Sequence, residues 1–159
     1  MLVTALEDNY PLIGRRRFLL TSGGALIAAV FTRPALARLT VQEALAVFAN
    51  GAEIQEGRIR LEISPLVENG NLVGATVTVD SPMTEADHVK RIALFNEKNP
   101  QADMAVFHLG PRAGRAEVST RLRLATTQVV TAVCEMSDGG FWASKAHVIV
   151  TLAACVETL

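Results

Sequence analysis

The chain has 159 residues, half of them apolar and 19% charged, with a net charge of −1 at pH 7 and a mean hydropathy of +0.29. That length holds one domain of ordinary size, and this composition excludes a disordered chain, which needs low hydrophobicity and high net charge. Two cysteines exclude a disulfide-dense miniprotein, near-neutrality gives no electrostatic ground for nucleic-acid binding, and the single long apolar stretch is too short for stable membrane insertion.

The chain opens on an address. Gly14-Arg15-Arg16-Arg17-Phe18-Leu19-Leu20 reads as a twin-arginine export signal, followed by an apolar stretch from Leu19 to Phe31 and the small-residue cleavage box Ala35-Leu36-Ala37. An uncut anchor helix is the other reading of this segment. Cleavage after Ala37 removes four arginines and two acids, leaving eleven basic and fourteen acidic residues and a net charge of −3. The expected destination is the periplasm, an oxidising compartment. The expected organisation is a signal peptide over 1–37, one domain over 38–152 and a C-terminal arm over 153–159.

The first element after the signal is a short helix. Thr40-Val41-Gln42-Glu43 is a capping box, Val41, Ala44, Leu45 and Phe48 recur at helical spacing, and Asn50-Gly51 is a left-handed stop. The period then changes to two. Ile59, Leu61 and Ile63 alternate with Arg58, Arg60 and Glu62, which predicts a half-buried strand, ended or bulged at Pro65. Asn69-Gly70 predicts a type I′ turn into a second strand carrying Ala75, Val77 and Val79. Further strands are expected over Val89–Phe95, Ala105–Leu109, Val118–Leu124, Thr127–Met136 and Phe141–Leu152. Turns are expected at Gly110–Gly114 and Ser137–Gly140. Several short strands spaced by turn signals after one helix predict an antiparallel β-sandwich.

Chemistry-bearing residues are sparse. His88, His108 and His147 lie at no metal-ligand spacing, so no metal is expected. There is no phosphate loop, nucleophile elbow or carboxylate pair, hence no expected catalytic residue and no enzyme. Arg112, Arg115, Arg121 and Arg123 read as a solvated strand face. Cys134, within an apolar run, reads as a small buried hydrophobe. Cys155 is different: it follows the last strand, where packing asks for no cysteine, and an exposed thiol in an oxidising compartment suggests a disulfide, a metal or a covalent load.

These residues stand in a familiar order. Asp80-Ser81-Pro82-Met83-Thr84, Phe107-His108, the run Gly114 to Ala125, Glu135-Met136-Ser137-Asp138-Gly139 and the late Cys155 together resemble the SoxY family. The resemblance covers the whole chain after the signal. It implies an immunoglobulin-like β-sandwich, paired as a heterodimer with a second β-sandwich subunit, SoxZ. It implies that Cys155 carries sulfur intermediates of thiosulfate oxidation covalently. Partner enzymes of the periplasmic Sox system would load and unload it: a c-type cytochrome couples thiosulfate to the thiol, a hydrolase releases sulfate, and a molybdenum-containing sulfane dehydrogenase oxidises the remaining sulfur. The carrier itself is expected to need no cofactor.

The tail departs from the family pattern. The family arm ends Gly-Gly-Cys-Gly-Gly, whereas this chain reads Ala153-Ala154-Cys155-Val156-Glu157. Alanine and valine are stiffer and wider than glycine. Two other readings therefore stand beside the carrier: a divergent periplasmic binding subunit with lost or changed cargo, and a plain module with a Cys134–Cys155 disulfide. Apolar positions of the last two strands, with Trp142, are candidates for a subunit interface, and core packing is the other reading of Trp142.

Overall fold

The computed structural model describes residues 38–154. The proposed signal segment and Cys155 both lie outside the described residues.

Helix α1 spans Val41–Phe48 with Thr40 as its N-cap. The capping box forms as its sequence dictates: the Glu43 amide donates to Thr40 Oγ1 at 3.3 Å, and the Thr40 amide donates to Glu43 Oε2 at 2.8 Å. Asn50 (φ 52°) and Gly51 (φ 75°) supply the left-handed exit. Eight residues make a marginal helix in isolation, so packing must hold it. Phe48 sits edge-on to Phe95 and Phe141, with centroids 5.7 and 6.0 Å apart. Ala44, Ala93 and Val133 complete this small second core. Arg91 pins the assembly from the sheet: its guanidinium lies 4.4 Å from the Phe48 ring centroid, pairs with Glu135, and donates to the Phe48 carbonyl at 3.3 Å.

Nine strands follow: β1 Ile54–Glu56, β2 Ile59–Ile63, β3 Leu66–Asn69, β4 Val73–Val79, β5 Val89–Asn96, β6 Asp103–His108, β7 Glu117–Leu122, β8 Gln128–Met136 and β9 Phe141–Leu152. The larger sheet runs β1-β9-β8-β5-β6, with β3 also pairing β9; the smaller runs β2-β4-β7. Their facing sides form the sandwich core. Alternation writes this directly: Val73, Ala75, Val77 and Val79 of β4 are buried, and they meet Ile92, Leu94, Val130, Ala132 and Met136 of the larger sheet. Trp142 is half-buried and packs against this core, with the Arg58 guanidinium 6.0 Å from its ring centroid. The fold is the mainly-β, immunoglobulin-like sandwich with one short helix that the sequence predicts.

The structure corrects the sequence reading between β2 and β4. The two strands do pair antiparallel, with Ile59 opposite Val79 and Ile63 opposite Ala75. They are not joined by a type I′ turn, because Asn69 and Gly70 both lack positive φ. Pro65 has no amide to extend β2, and the chain crosses to the other sheet. There β3 pairs parallel with β9, Leu66 opposite Ile149 and Asn69 opposite Leu152. The three-residue β1 also pairs parallel with β9, at its opposite end. Two parallel edge pairings thus join a ladder that is otherwise antiparallel.

Candidate functional site at the end of strand β9

Cys155 is the candidate functional residue, and β9 determines where it starts. β9 is the longest strand, twelve residues, and ties of several kinds hold its far end. The Ile149 amide donates to the Pro65 carbonyl at 2.9 Å. The Val150 amide donates to Thr127 Oγ1 at 3.0 Å. Thr151 Oγ1 donates to the Glu68 carbonyl at 3.1 Å.

Beyond these ties, Gly70 and Leu124 close a clasp. The Gly70 amide donates to the Leu152 carbonyl at 2.9 Å, and the Leu124 amide donates to the Gly70 carbonyl at 2.8 Å. The Leu124 carbonyl in turn accepts from the Ala154 amide at 3.2 Å. A Cβ on Gly70 would overlap the Leu124 carbonyl oxygen and lie 3.0 Å from Val150 Cγ1 and 3.2 Å from the Ala154 nitrogen. Glycine is needed here for close approach of three backbones, not for a turn conformation. Sequence reasoning singled out the Asn69-Gly70 pair for a turn and placed Leu124 in a strand, whereas β7 ends at Leu122 and Leu124 belongs to the clasp. The last clasped residue is Ala154, directly before Cys155.

A cleft of about 650 Å³ opens beside this clasp, with Ala153 on its rim. The rest of its lining comes from the segment around the start of α1 (Leu39, Val41), the β5–β6 loop (Lys98, Ala102) and the β7–β8 loop (Thr126). Asn96, Lys98 and Asn99 also line it and are tied into a polar network with Gln128. The Asn99 amide donates to Asn96 Oδ1 at 2.7 Å, Gln128 Nε2 donates to Asn99 Oδ1 at 2.9 Å, and the Lys98 amide donates to Gln128 Oε1 at 2.9 Å.

Cys134 has the opposite character. It is wholly buried in the sandwich core. Burial pushes its thiol up to about 11, against smaller lowering effects from the Trp142 backbone and the Arg58 charge. Such a thiol stays protonated and unreactive near neutral pH. It lies opposite Trp142, ten residues before Leu152 along β9. At about 3.3 Å per residue that is about 33 Å from the strand's end, whereas disulfide Cα atoms lie within about 7 Å. The three residues from Leu152 to Cys155 do not span that gap, so this geometry removes the Cys134–Cys155 disulfide.

The remaining candidates stay scattered. His88 Nδ1 lies 3.0 Å from the Thr84 carbonyl oxygen, while His108 and His147 are exposed on separate strands. Among the described residues, no three His, Cys, Asp or Glu side chains are placed to hold a metal ion. Arg115, Arg121 and Arg123 are exposed, and Arg115 pairs with Glu117 at 3.6 Å. Asp80 to Thr84 forms a structural loop. Met83 (φ 51°) is buried, its Sδ accepting from the Val89 amide at 3.5 Å, and Arg58 pairs with Asp87 at 2.9 Å.

Comparison with known proteins decides the family. The profile of "Sulfur oxidation protein SoxY" matches residues 44–155, from inside α1 to the candidate cysteine. The chain belongs to the SoxY family. Among solved structures, the sulfur carrier protein SoxY from Chlorobium limicola f thiosulfatophilum is 28% identical, with a TM-score of 0.60; the match covers 71% of this chain and 97% of that one. A superoxide reductase (neelaredoxin) from Ignicoccus hospitalis is 19% identical over 59% of this chain and 80% of its own, with a TM-score of 0.53. A putative superoxide reductase from Thermotoga maritima is 20% identical over 65% and 89%, with a TM-score of 0.51. These last two share the fold alone. No curated protein sequence matches the chain significantly. SoxY membership makes this a protein of sulfur oxidation and supports a carrier role in it.

Proposed function

We propose that this SoxY-family chain is a covalent sulfur carrier, with the Cys155 thiol holding intermediates of thiosulfate oxidation. The observation that carries the reading is the clasped root. A twelve-residue strand, fixed through Gly70 and Leu124, delivers the backbone to Ala154, and Cys155 follows at once. The other cysteine is buried and unreactive, so the chain offers a single thiol for loading. Loading by thiosulfate joins its outer sulfur to Cys155 Sγ. The step releases the thiol proton and passes two electrons to a c-type cytochrome partner. Hydrolysis then frees sulfate, and a sulfane dehydrogenase oxidises what remains. The carrier contributes position and a leaving sulfur, with no cofactor of its own.

We further place the protein in the periplasm, exported by the twin-arginine signal over 1–37, with the domain over 38–152 and the arm over 153–159. It acts there as a heterodimer with a SoxZ-like subunit. Leu66, Ile149 and Leu152 are 56%, 46% and 60% exposed beside the arm's root, and supply an apolar surface for that subunit.

Intact-mass spectrometry of the periplasmic protein from thiosulfate-fed cells tests this reading. A reductant-labile adduct on Cys155, lost in Cys155→Ser, is the expected result, and the N-terminal mass reports cleavage after Ala37. A bare thiol under every condition refutes the carrier reading. It leaves the divergent binding subunit, which the Ala-Ala-Cys-Val tail favours.

A further inference from the structure

The sandwich is closed on one side and open on the other. β2 packs beside β9 and closes the first side. On the opposite side β6 ends the larger sheet and β7 ends the smaller, and among the described residues neither outer edge has a partner strand. A cleft of about 340 Å³ lies there, lined by Met104 and Ala105 of β6 and by Thr120 and Leu122 of β7. The Val79 amide donates to the Ala116 carbonyl at 2.9 Å, and the β4–β7 register carries that pairing on to Val118, Thr120 and Leu122. Alternation then turns the backbone N–H and C=O groups of Glu117, Ser119 and Arg121 to the free edge. Their side chains are exposed on the outer face, while those of Val118, Thr120 and Leu122 face inwards. The edge also carries an ordered charge pattern, with Glu117 at one end, Ser119 in the middle, and Arg121 and Arg123 at the other end. Arg121 and Arg123 are exposed and make no ion pair among the described residues. Charge at an open edge keeps most strands away, but this pattern admits one that matches it.

We propose that β7 is a docking edge for an extended segment of a partner polypeptide, added antiparallel as a fourth strand of the smaller sheet. The segment has acids opposite Arg123 and Arg121, a base opposite Glu117, and apolar residues between them that enter the cleft. A second copy of β7 fits less well. Pairing Glu117 with Arg121 about Ser119 sets Arg115 against Arg123, and like charges directly opposite are destabilising. The edge lies across the sandwich from Leu66 and Ile149 on β3 and β9, so a segment docked there leaves those residues uncovered. The docking is independent of Cys155 and of any cargo.

The probe is the peptide acetyl-Glu-Val-Glu-Val-Thr-Val-Lys-amide, titrated into the full-length, reduced protein with amide exchange as the readout. Protection is expected to rise at the Ser119 and Arg121 amides, which the added strand bonds, and to stay unchanged at Val118 and Thr120, which β4 already holds. Replacing the peptide's Thr, opposite Ser119, by Pro removes a ladder donor and should abolish the protection. Arg121→Glu loses one opposite-charge pair and gains a like-charge one, so binding should weaken about two- to thirtyfold. A peptide with Lys in place of its second Glu should bind that variant as tightly as the first peptide binds wild type. Unaltered exchange at Ser119 and Arg121 with peptide in the millimolar range, binding that survives the Pro substitution, or failure of the charge-swapped peptide to restore affinity each overturns the proposal. Protection of those amides that grows with protein concentration in the absence of peptide overturns it too, and identifies a second copy of the chain as the occupant.

Discussion

Gly70→Ala probes the clasp that fixes the arm's root. The added methyl overlaps the Leu124 carbonyl oxygen, which is backbone and already holds the Ala154 amide. It also crowds Val150 Cγ1 at 3.0 Å. Relieving the overlap moves either Gly70 or Leu124, and both are joined by the 2.8 Å bond from the Leu124 amide to the Gly70 carbonyl. Overpacking of this kind costs about 1–3 kcal/mol, and weakening a backbone hydrogen bond adds about 1 kcal/mol. Against this, alanine reduces unfolded-state entropy by about 0.4–1 kcal/mol, and Gly70 lacks the positive φ that would strain alanine itself. The net expectation is a loss of about 1–3 kcal/mol, read by urea unfolding. Amide exchange at residue 70, Leu124 and Ala154, the three donors of the clasp, should accelerate more than exchange in β5. Gly74→Ala is the control on the neighbouring strand. Its Cβ meets nothing within 4 Å and its φ is not positive, so it should be neutral or stabilising by up to about 1 kcal/mol. If Gly70→Ala is as stable as Gly74→Ala, the close-approach account of Gly70 is wrong.

Two further outcomes follow from the cores. Phe48→Ala removes the ring that joins α1 to Phe95 and Phe141; it should cost about 3 kcal/mol and strip protection from the α1 amides, and unchanged exchange there would show that α1 is held by something else. Cys134 gives a pH signature: its folded-state pKa is raised from 9.0 to about 11, so the stabilisation is complete below pH 9 and is lost as pH climbs towards 11, because only the unfolded thiol ionises in that window. The loss is on the order of 2–3 kcal/mol, measured as the difference in urea-unfolding pH profiles between wild type and Cys134→Ala; parallel profiles from pH 8 to 11 would remove the effect.

Much of the sandwich is legible because alternation and capping are local. The run Val73-Gly74-Ala75-Thr76-Val77-Thr78-Val79 declares its buried face residue by residue. Thr40 and Glu43 declare the start of α1. Local patterns fail where the answer depends on distant partners. Asn69-Gly70 has the composition of a type I′ turn, yet parallel pairing of Leu66–Asn69 with β9 draws that segment into the other sheet. No dipeptide preference encodes a partner eighty residues away. Likewise Ile54–Glu56 is too short to show a period, and it is a strand only because β9 lies beside it. At the site, Cys155 is conspicuous from its position after the last strand. The clasp is not, since Gly70 and Leu124 meet Leu152 and Ala154 only once both sheets are assembled.

The clasp bears on how a thiol so close to a fixed backbone could visit several enzymes. On the carrier reading, Cys155 follows Ala154 directly, and a clasped Ala154 gives the thiol almost no tether. Reach must therefore come from release of the root, in order along the chain. The bond from the Ala154 amide to the Leu124 carbonyl lies next to the thiol in sequence, so it yields first. Breaking it leaves the carbonyl of buried Leu124 without that partner, which costs about 1–3 kcal/mol, a cost that docking to a partner enzyme has to offset. Once it opens, the freed segment from Ala153 to Cys155 extends about 10 Å. Going further means peeling Leu152 from Gly70 and Thr151 from Glu68, at a cost that rises with each residue. A glycine-flanked arm gains reach from backbone freedom; an alanine-flanked arm gains it by stepwise unclasping. Ala153→Gly/Ala154→Gly should then increase the amplitude of arm motion in spin-label measurements at Cys155 while leaving exchange of the Gly70 amide, which donates to the Leu152 carbonyl, unchanged. If exchange at Gly70 rises in step with arm motion, the clasp and the arm unfold as one unit and reach is not graded.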